Sequence, residues 1–284
     1  MKKRILSILL ASACVLGLTA CGEKKAETSA APAAEEGTAA AASDIDISGV
    51  NLLSDGVLSV GCEVGYPPFE DFAEDGTTPI GYDIDIISAV AEKLGLKVNI
   101  INTAWDGIFA GIGKNYDVTC SAVTITPERQ ETMLFSTPYI SNYQAVVLMA
   151  DDDREVSSFL DLNGLSIALQ KETTSDILMS DYKSTGTIDI QIVADEKVTS
   201  CFTQLQNGEV DAVVVDSTVA DGVLNSSDDF KIVFEDTEEP EEFGIAMGKD
   251  NTALQTAINQ ALKELDEEGY IDETYDYWFG SAAE

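Results

Sequence analysis

The sequence predicts an α/β protein built as two lobes. Short runs rich in Val, Ile and Leu alternate with amphipathic helical stretches, the pattern of an α/β architecture with a largely parallel sheet. The alternation runs through twice, in two series of about ninety residues each, and leaves one last helix over. The composition of the N-terminal end sets where the folded body begins.

In the first series, residues 57–62 form the opening strand. Residues 82–94 carry Ile86, Ile87, Val90, Ala91 and Leu94 at helical spacing and stop at Gly95, a helix-end signal. Residues 96–101 read as a second strand, 105–113 as a short helix and 117–124 as a third strand. Thr126-Pro127-Glu128-Arg129 follows, with Thr126 suited to the N-cap and Pro127 to the first helical position. The second series begins after Tyr143: a strand at 165–169, a helix from Thr174, a strand at 188–193 and a helix at 198–207. An apolar strand at 210–215 then ends at Asp216 and leads into a helix to about residue 224. Leu254, Ala257, Ile258, Ala261, Leu262 and Leu265 make one apolar stripe on the last helix.

Lys2, Lys3 and Arg4 precede fifteen apolar or small residues, 5–19. That run is short of the ~20 residues a membrane span needs, so it reads as the core of a secretory signal. It ends in Leu18-Thr19-Ala20-Cys21, which resembles the lipobox of bacterial lipoproteins. The resemblance implies a signal peptide at 1–20, cleavage before Cys21 and lipidation of its thiol. Residues 21–50 are dominated by Ala, Glu, Ser and Thr. Such a stretch cannot bury enough apolar surface to offset its chain entropy, so a disordered tether is expected there, with the body at 51–284.

The chain has 16 basic and 51 acidic residues and a formal charge of -35. This excludes nucleic acid as a partner, because affinity there rests on cations meeting phosphates. With no histidine at all, His-dependent triads and His-ligated metals are excluded too. No CxxC spacing suggests zinc, and no metal or cofactor is expected. Cys62, Cys120 and Cys201 remain in the body, an odd number. Cys62 and Cys120 either bridge neighbouring strands or sit as buried small hydrophobes.

Six strings carry a family resemblance: LSVGCEVGYPPFE at 58–70, GYDIDI at 81–86, WDGIFAGIGKNYDVTCSAVTITPERQETMLFSTPY at 105–139, IALQKETTSDI at 167–177, LQNGEVDAVVVDS at 205–217 and INQALKELDEEGYIDETYDYWFG at 258–280. In this order and spacing they resemble the polar amino-acid-binding proteins of ABC importers, extracellular solute-binding protein family 3. The resemblance implies a two-lobe, type II periplasmic-binding-protein-like fold joined by a two-segment hinge. Lobe one would comprise 51–142 plus 242–284 and lobe two 143–241, with crossings near 139–143 and 241–246. It further implies a monomeric binding protein rather than an enzyme. Its partners would be a free amino acid, an importer permease and, through the lipid, the extracytoplasmic face of the cell membrane.

Such a site must recognise a zwitterion. A carboxylate calls for a guanidinium and convergent N–H or hydroxyl donors. Arg129 is the guanidinium; by itself it would be a solvated Arg in a first helical turn, an electrostatically poor place for a cation. Its match to the family's SAVTITPER segment implies the carboxylate-binding role, with Thr124 assisting and Ser121 and Ala122 lining the ligand. Thr174 begins a helix whose free N–H groups receive an anion, or serves simply as a cap. Gln170 and Ser175 fall at neighbouring contact positions. Asp216 is either an N-cap or, as the resemblance implies, the acceptor of the α-ammonium. Tyr66 and Trp105 fall where the family stacks aromatics on the ligand's side chain. Glu63 places an acid by the side-chain pocket, which suits a cationic or amide-bearing ligand. Two other readings use the same body: a dehydratase acting on arogenate or prephenate, with Glu63 or Glu172 as proton donor, and a ligand-sensing subunit of a membrane receptor.

Overall fold

The computed structural model describes residues 45–280. The signal segment 1–20, the lipidation position Cys21 and residues 21–44 of the expected tether lie outside the described residues. The chain first forms β1 (Val57–Cys62), a short hairpin of β2 (Asp71–Phe72) and β3 (Pro79–Ile80), and α1 (Tyr82–Lys93). β4 (Lys97–Asn102), β5 (Val118–Thr119), α2 (Pro127–Thr132) and β6 (Met133–Phe135) follow. β7 (Ile140–Asn142) then leads to β8 (Gln144–Met149), β9 (Ser166–Gln170), α3 (Thr174–Ser184), β10 (Gln191–Asp195) and α4 (Val198–Gln206). The rest is β11 (Ala212–Asp216), α5 (Ser217–Leu224), β12 (Phe230–Glu235), β13 (Glu241–Phe243), β14 (Ala246–Gly248), α6 (Thr252–Glu267) and α7 (Tyr270–Phe279).

These strands make two five-stranded sheets, ordered β4-β1-β5-β14-β6 and β10-β9-β11-β8-β12. In each, three parallel strands are followed on one side by a single antiparallel strand, and a fifth strand antiparallel to that one closes the edge. The chain passes between the sheets at β7 and returns at β13. These two strands pair antiparallel, with Glu241 opposite Asn142 and Phe243 opposite Ile140. The two lobes are thus joined by a narrow two-stranded ribbon, and the carboxyl ends of β1, β9 and β11 supply residues to the space between them.

Local sequence explains the start of α1. Gly81 has φ +140, and a Cβ there would lie 2.0 Å from the Phe69 carbonyl oxygen. Only glycine allows the chain to turn under that carbonyl, which in turn accepts from the Asp83 N–H (3.0 Å). Asp83 is buried in the first turn, where a carboxylate is favoured by the helix dipole. Its oxygens accept from the Ala122 N–H (2.6 Å) and the Tyr139 hydroxyl (2.8 Å). Ala122 sits at φ +47, a left-handed conformation costing about 1–3 kcal/mol in a non-glycine residue. Held this way, Cys120–Thr124 leaves the sheet, so the expected strand at 117–124 shortens to Val118–Thr119.

Other expectations change for similar reasons. The short helix expected at 105–113 is a 3₁₀ turn at Ile108–Gly111, and the strand expected at 188–193 runs over Gln191–Asp195. The tether expected to reach residue 50 ends sooner, because Ile45, Ile47 and Val50 pack on the main core. No Cys62–Cys120 bridge forms although β1 and β5 are neighbours. Both thiols, and Cys201, are free and buried. A helix the sequence reading did not separate, α7, seats Phe279 against Phe69 and Tyr82, each ring centroid 5.3 Å away.

Candidate ligand-binding site

A narrow cavity lies between the lobes. Its wall contains ten of the eleven expected residues: Glu63, Tyr66, Trp105, Ser121, Ala122, Thr124, Arg129, Gln170, Thr174 and Asp216. Ser175 is the exception. It is buried behind the wall, where its hydroxyl donates to Gln144 Oε1 (2.5 Å), because the second helical position of α3 turns it toward β8.

Arg129 stands where a capped helix puts it. Thr126 Oγ1 accepts from the Arg129 N–H (3.2 Å), and Pro127 begins α2. Nη1 donates to the Thr124 carbonyl (2.9 Å), leaving most of the five guanidinium donors available. The guanidinium carbon lies 5.6 Å from the centroid of Trp105 and 5.1 Å from that of Phe109, within cation–π range. Trp105 therefore supports the cation as well as lining the cavity. Burial lowers the proton affinity of Arg129, while Glu241 and Asp216 raise it. A guanidinium keeps its charge in either case.

Asp216 comes from the other lobe, at the end of β11. It precedes α5, yet its side chain makes no capping bond. Instead Oδ1 accepts from Asn142 Nδ2 (2.7 Å) and Gln144 Nε2 (2.8 Å), and Oδ2 accepts from the Tyr66 hydroxyl. Burial, and then the Glu241 carboxylate, push its pKa up to about 7. Glu241 Oε2, on β13, accepts from Gln144 Nε2 (3.1 Å) and from the hydroxyls of Thr124 and Thr174 (3.3 Å each). A cation placed beside Asp216 would offset this crowding of negative charge. Thr173, not Thr174, caps α3, its Oγ1 accepting from the Asp176 N–H (3.3 Å), and both threonines line the cavity.

The far end of the cavity is acidic. Each Glu63 oxygen has a neighbour: Oε1 lies 2.8 Å from Lys197 Nζ as an ion pair without hydrogen-bond geometry, and Oε2 accepts from Gln170 Nε2 (2.7 Å). Glu63 therefore lines the wall with its charge already paired to Lys197. Glu70, absent from the sequence expectation, offers an acceptor with no such cation beside it among the described residues. It is fully buried in the wall, Oε1 accepts from Ser121 Oγ (2.5 Å), and Oε2 has no hydrogen-bond partner among the described residues. Burial, and then the neighbouring Asp83 carboxylate, push its pKa well above the usual carboxylate range. Gln170 Oε1 is a second buried acceptor without a partner. Glu70 stood in the quoted YPPFE string. Nothing in a lone sequence says that an acid there turns inward, since acids are rarely buried.

Two α/β lobes on a two-stranded ribbon, closed over a charged cavity to which both contribute, define a class: bilobal solute-binding proteins. The chain belongs to one family of that class, the bacterial extracellular solute-binding proteins, family 3, whose model matches residues 58–281. It is 32% identical over 234 residues to the L-cystine-binding protein TcyA of Bacillus subtilis, covering 81% of this chain and 84% of that one. It is 28% identical over 227 residues to ABC transporter arginine-binding protein 1 of Escherichia coli, covering 78% and 90%. An ancestral arginine-binding protein bound to arginine superposes with a TM-score of 0.73 at 35% identity, over 79% of this chain and 99% of that one. All three are amino-acid-binding proteins by name, and one is named as an ABC transporter's. This chain is likewise a binding protein rather than an enzyme, of a family that works outside the cytoplasm.

Proposed function

We propose that this protein captures a free amino acid with a cationic side chain, arginine foremost, and delivers it to an ABC importer. In this reading Arg129 and the α3 N-terminus hold the α-carboxylate, and Asp216 accepts the α-ammonium. The side chain runs past Tyr66 and Trp105 to Glu70. Lobe one (51–142 plus 242–284) and lobe two (143–241) close on the ribbon of β7 and β13, and the permease distinguishes loaded from empty protein by shape. The protein acts as a monomer. Residues 1–20 are the signal peptide and Cys21 carries the lipid, which holds the body at the membrane beside its permease.

The observation that carries the ligand class is the set of buried acceptors without hydrogen-bond partners at the acidic end of the cavity: Glu70 Oε2, Gln170 Oε1 and the ion-paired Glu63 Oε1. Such acceptors call for a ligand group with several N–H donors, and the unpaired acid calls for a positive one; a guanidinium supplies both. The arginine-binding relatives agree with this reading. Cystine would bring both a carboxylate and an ammonium toward Glu70, so its distal end carries no net charge to match the acid.

A thermal-shift screen of the twenty amino acids and cystine on the purified protein tests the reading. A ligand that binds only the folded form raises the melting temperature by mass action, and arginine should give the largest rise. Arg129→Ala should abolish that rise, with affinity lost by about a hundredfold or more, as expected when one partner of a buried charged pair is removed. A rise with cystine alone, or with no amino acid, would overturn the assignment.

A further inference from the structure

Glu63 and Lys197 belong to different lobes. Glu63 follows β1, whereas Lys197 stands between β10 and α4. Gln170, at the end of β9, also belongs to the second lobe. Both side chains grip the same carboxylate, Lys197 at Oε1 (2.8 Å) and Gln170 at Oε2 (2.7 Å). The Glu63 main-chain N–H donates to Ser121 Oγ (3.0 Å), which fixes the acid on its own lobe. Glu63 is 2% exposed, and the Lys197 side chain is 40% exposed.

The geometry points to a clasp, in which Lys197 and Gln170 lock onto Glu63 and so hold the two lobes shut. Lys197 is then a positioning residue: it touches Glu63 and sets how long the cavity stays closed around any occupant. A buried carboxylate is tolerated only when it is paired and hydrogen-bonded. The closed arrangement buries Glu63, so closure requires its partners. Opening removes both partners at once and returns the carboxylate to water. Among the described residues the chain crosses between the lobes only at β7 and β13, and the clasp adds to other cross-lobe contacts such as Tyr66 with Asp216, so the open–closed balance depends on a small set of side-chain bonds.

A second cross-lobe ion pair makes the contrast. Lys171 Nζ lies 3.6 Å from Asp106 Oδ2, with both side chains exposed. Pairs of that kind contribute little. The clasp differs because its acid is buried and held by two partners. It also answers why Glu63, an acid in the wall, leaves the ligand to Glu70: its charge is already matched.

The inference rests on the lobe-closure reading but not on the identity of the ligand, and its test separates the two. Spin labels on Lys114→Cys and Lys183→Cys, exposed positions in the first and second lobes, report the inter-lobe distance by pulsed electron resonance. The three thiols among the described residues, Cys62, Cys120 and Cys201, are buried. Ligand-free wild-type protein should show a closed population that Lys197→Met and Glu63→Gln each deplete to the same extent. The double variant should go no further, and Lys197→Arg should restore closure. Raising salt should open the wild type and leave Lys197→Met unchanged. Asp106→Asn should leave the distances as they are.

With L-arginine and L-glutamine as probes, Lys197→Met should speed dissociation of both by the same factor, about tenfold. An unchanged distance distribution in Lys197→Met, or a loss confined to one probe, overturns the clasp. Distances that respond as expected while neither probe binds would sustain the clasp and remove the amino-acid reading instead.

Discussion

A buried carboxylate oxygen without a donor is unfavourable by a few kcal/mol, and a folded chain retains one only where something else supplies the partner. Glu70 is in that position, between Ser121 on one oxygen and the open cavity on the other. Replacing it with Gln keeps the size and removes the charge. Glu70→Gln should weaken arginine binding by about a hundredfold while shifting glutamine binding by only a few fold, since losing a charged hydrogen-bond partner costs about 2–5 kcal/mol. Calorimetry on both ligands reads this directly, and equal losses for the two would argue that Glu70 serves the fold rather than selectivity. Arg129 and Asp216 were legible beforehand because they stand in dense motifs. Glu70 was not, because inward orientation depends on the turn from Tyr66 to Glu70, closed by the Tyr66 N–H donating to the Glu70 carbonyl (2.8 Å).

Among the elements, α1 does the most to shape the site. Its first turn presents Asp83 to the Ala122 N–H and so sets the left-handed kink that lines the cavity floor. Gly81→Ala should strike this element. The φ of +140 and the contact with the Phe69 carbonyl leave no room for a methyl group. A loss of about 3 kcal/mol or more is expected from backbone strain and steric clash together, seen as a lower denaturant midpoint with an unchanged slope. A variant as stable as wild type would mean that the turn relaxes freely. The helices read most clearly from sequence were those with a strong apolar stripe or cap, α6 with Leu254 to Leu265 and α2 with Thr126 and Pro127. The short strands β6, β7, β13 and β14 were hidden. Three residues carry no periodicity, and their existence depends on partners about a hundred positions away.

On the scale of the whole molecule, three buried acids set the response to pH. Asp216 is raised to about 7 and Asp83 to about 6, both mainly by burial, and Glu70 is raised as well. The folded protein therefore holds protons that the unfolded chain has released. Their stabilising contribution is complete below the ordinary carboxylate value and disappears as pH rises through about 6 to 7. Ligand-free protein should melt at a higher temperature at pH 5 than at pH 8. Ligand binding runs the other way: an ammonium beside Asp216 favours its ionised form, so binding releases a proton and tightens as pH rises through about 7. Calorimetry at pH 5.5 and pH 8 should show the stronger binding at pH 8, and equal affinities would exclude Asp216 as the ammonium's partner.

The sequence alone determined the α/β class, the doubling into two lobes and the motifs at Arg129 and Asp216. Hydrophobic periodicity, caps and short-range strings are local properties that need no partner to be read. Tertiary structure decided the rest: that residues 45–50 join the core, that Ser175 faces Gln144, that Lys197 neutralises Glu63 and that Glu70 is the acid left open. The reason is physical. A carboxylate's role depends on which charges and donors stand within a few ångströms, and here those neighbours come from far along the chain, for Glu63 from the opposite lobe.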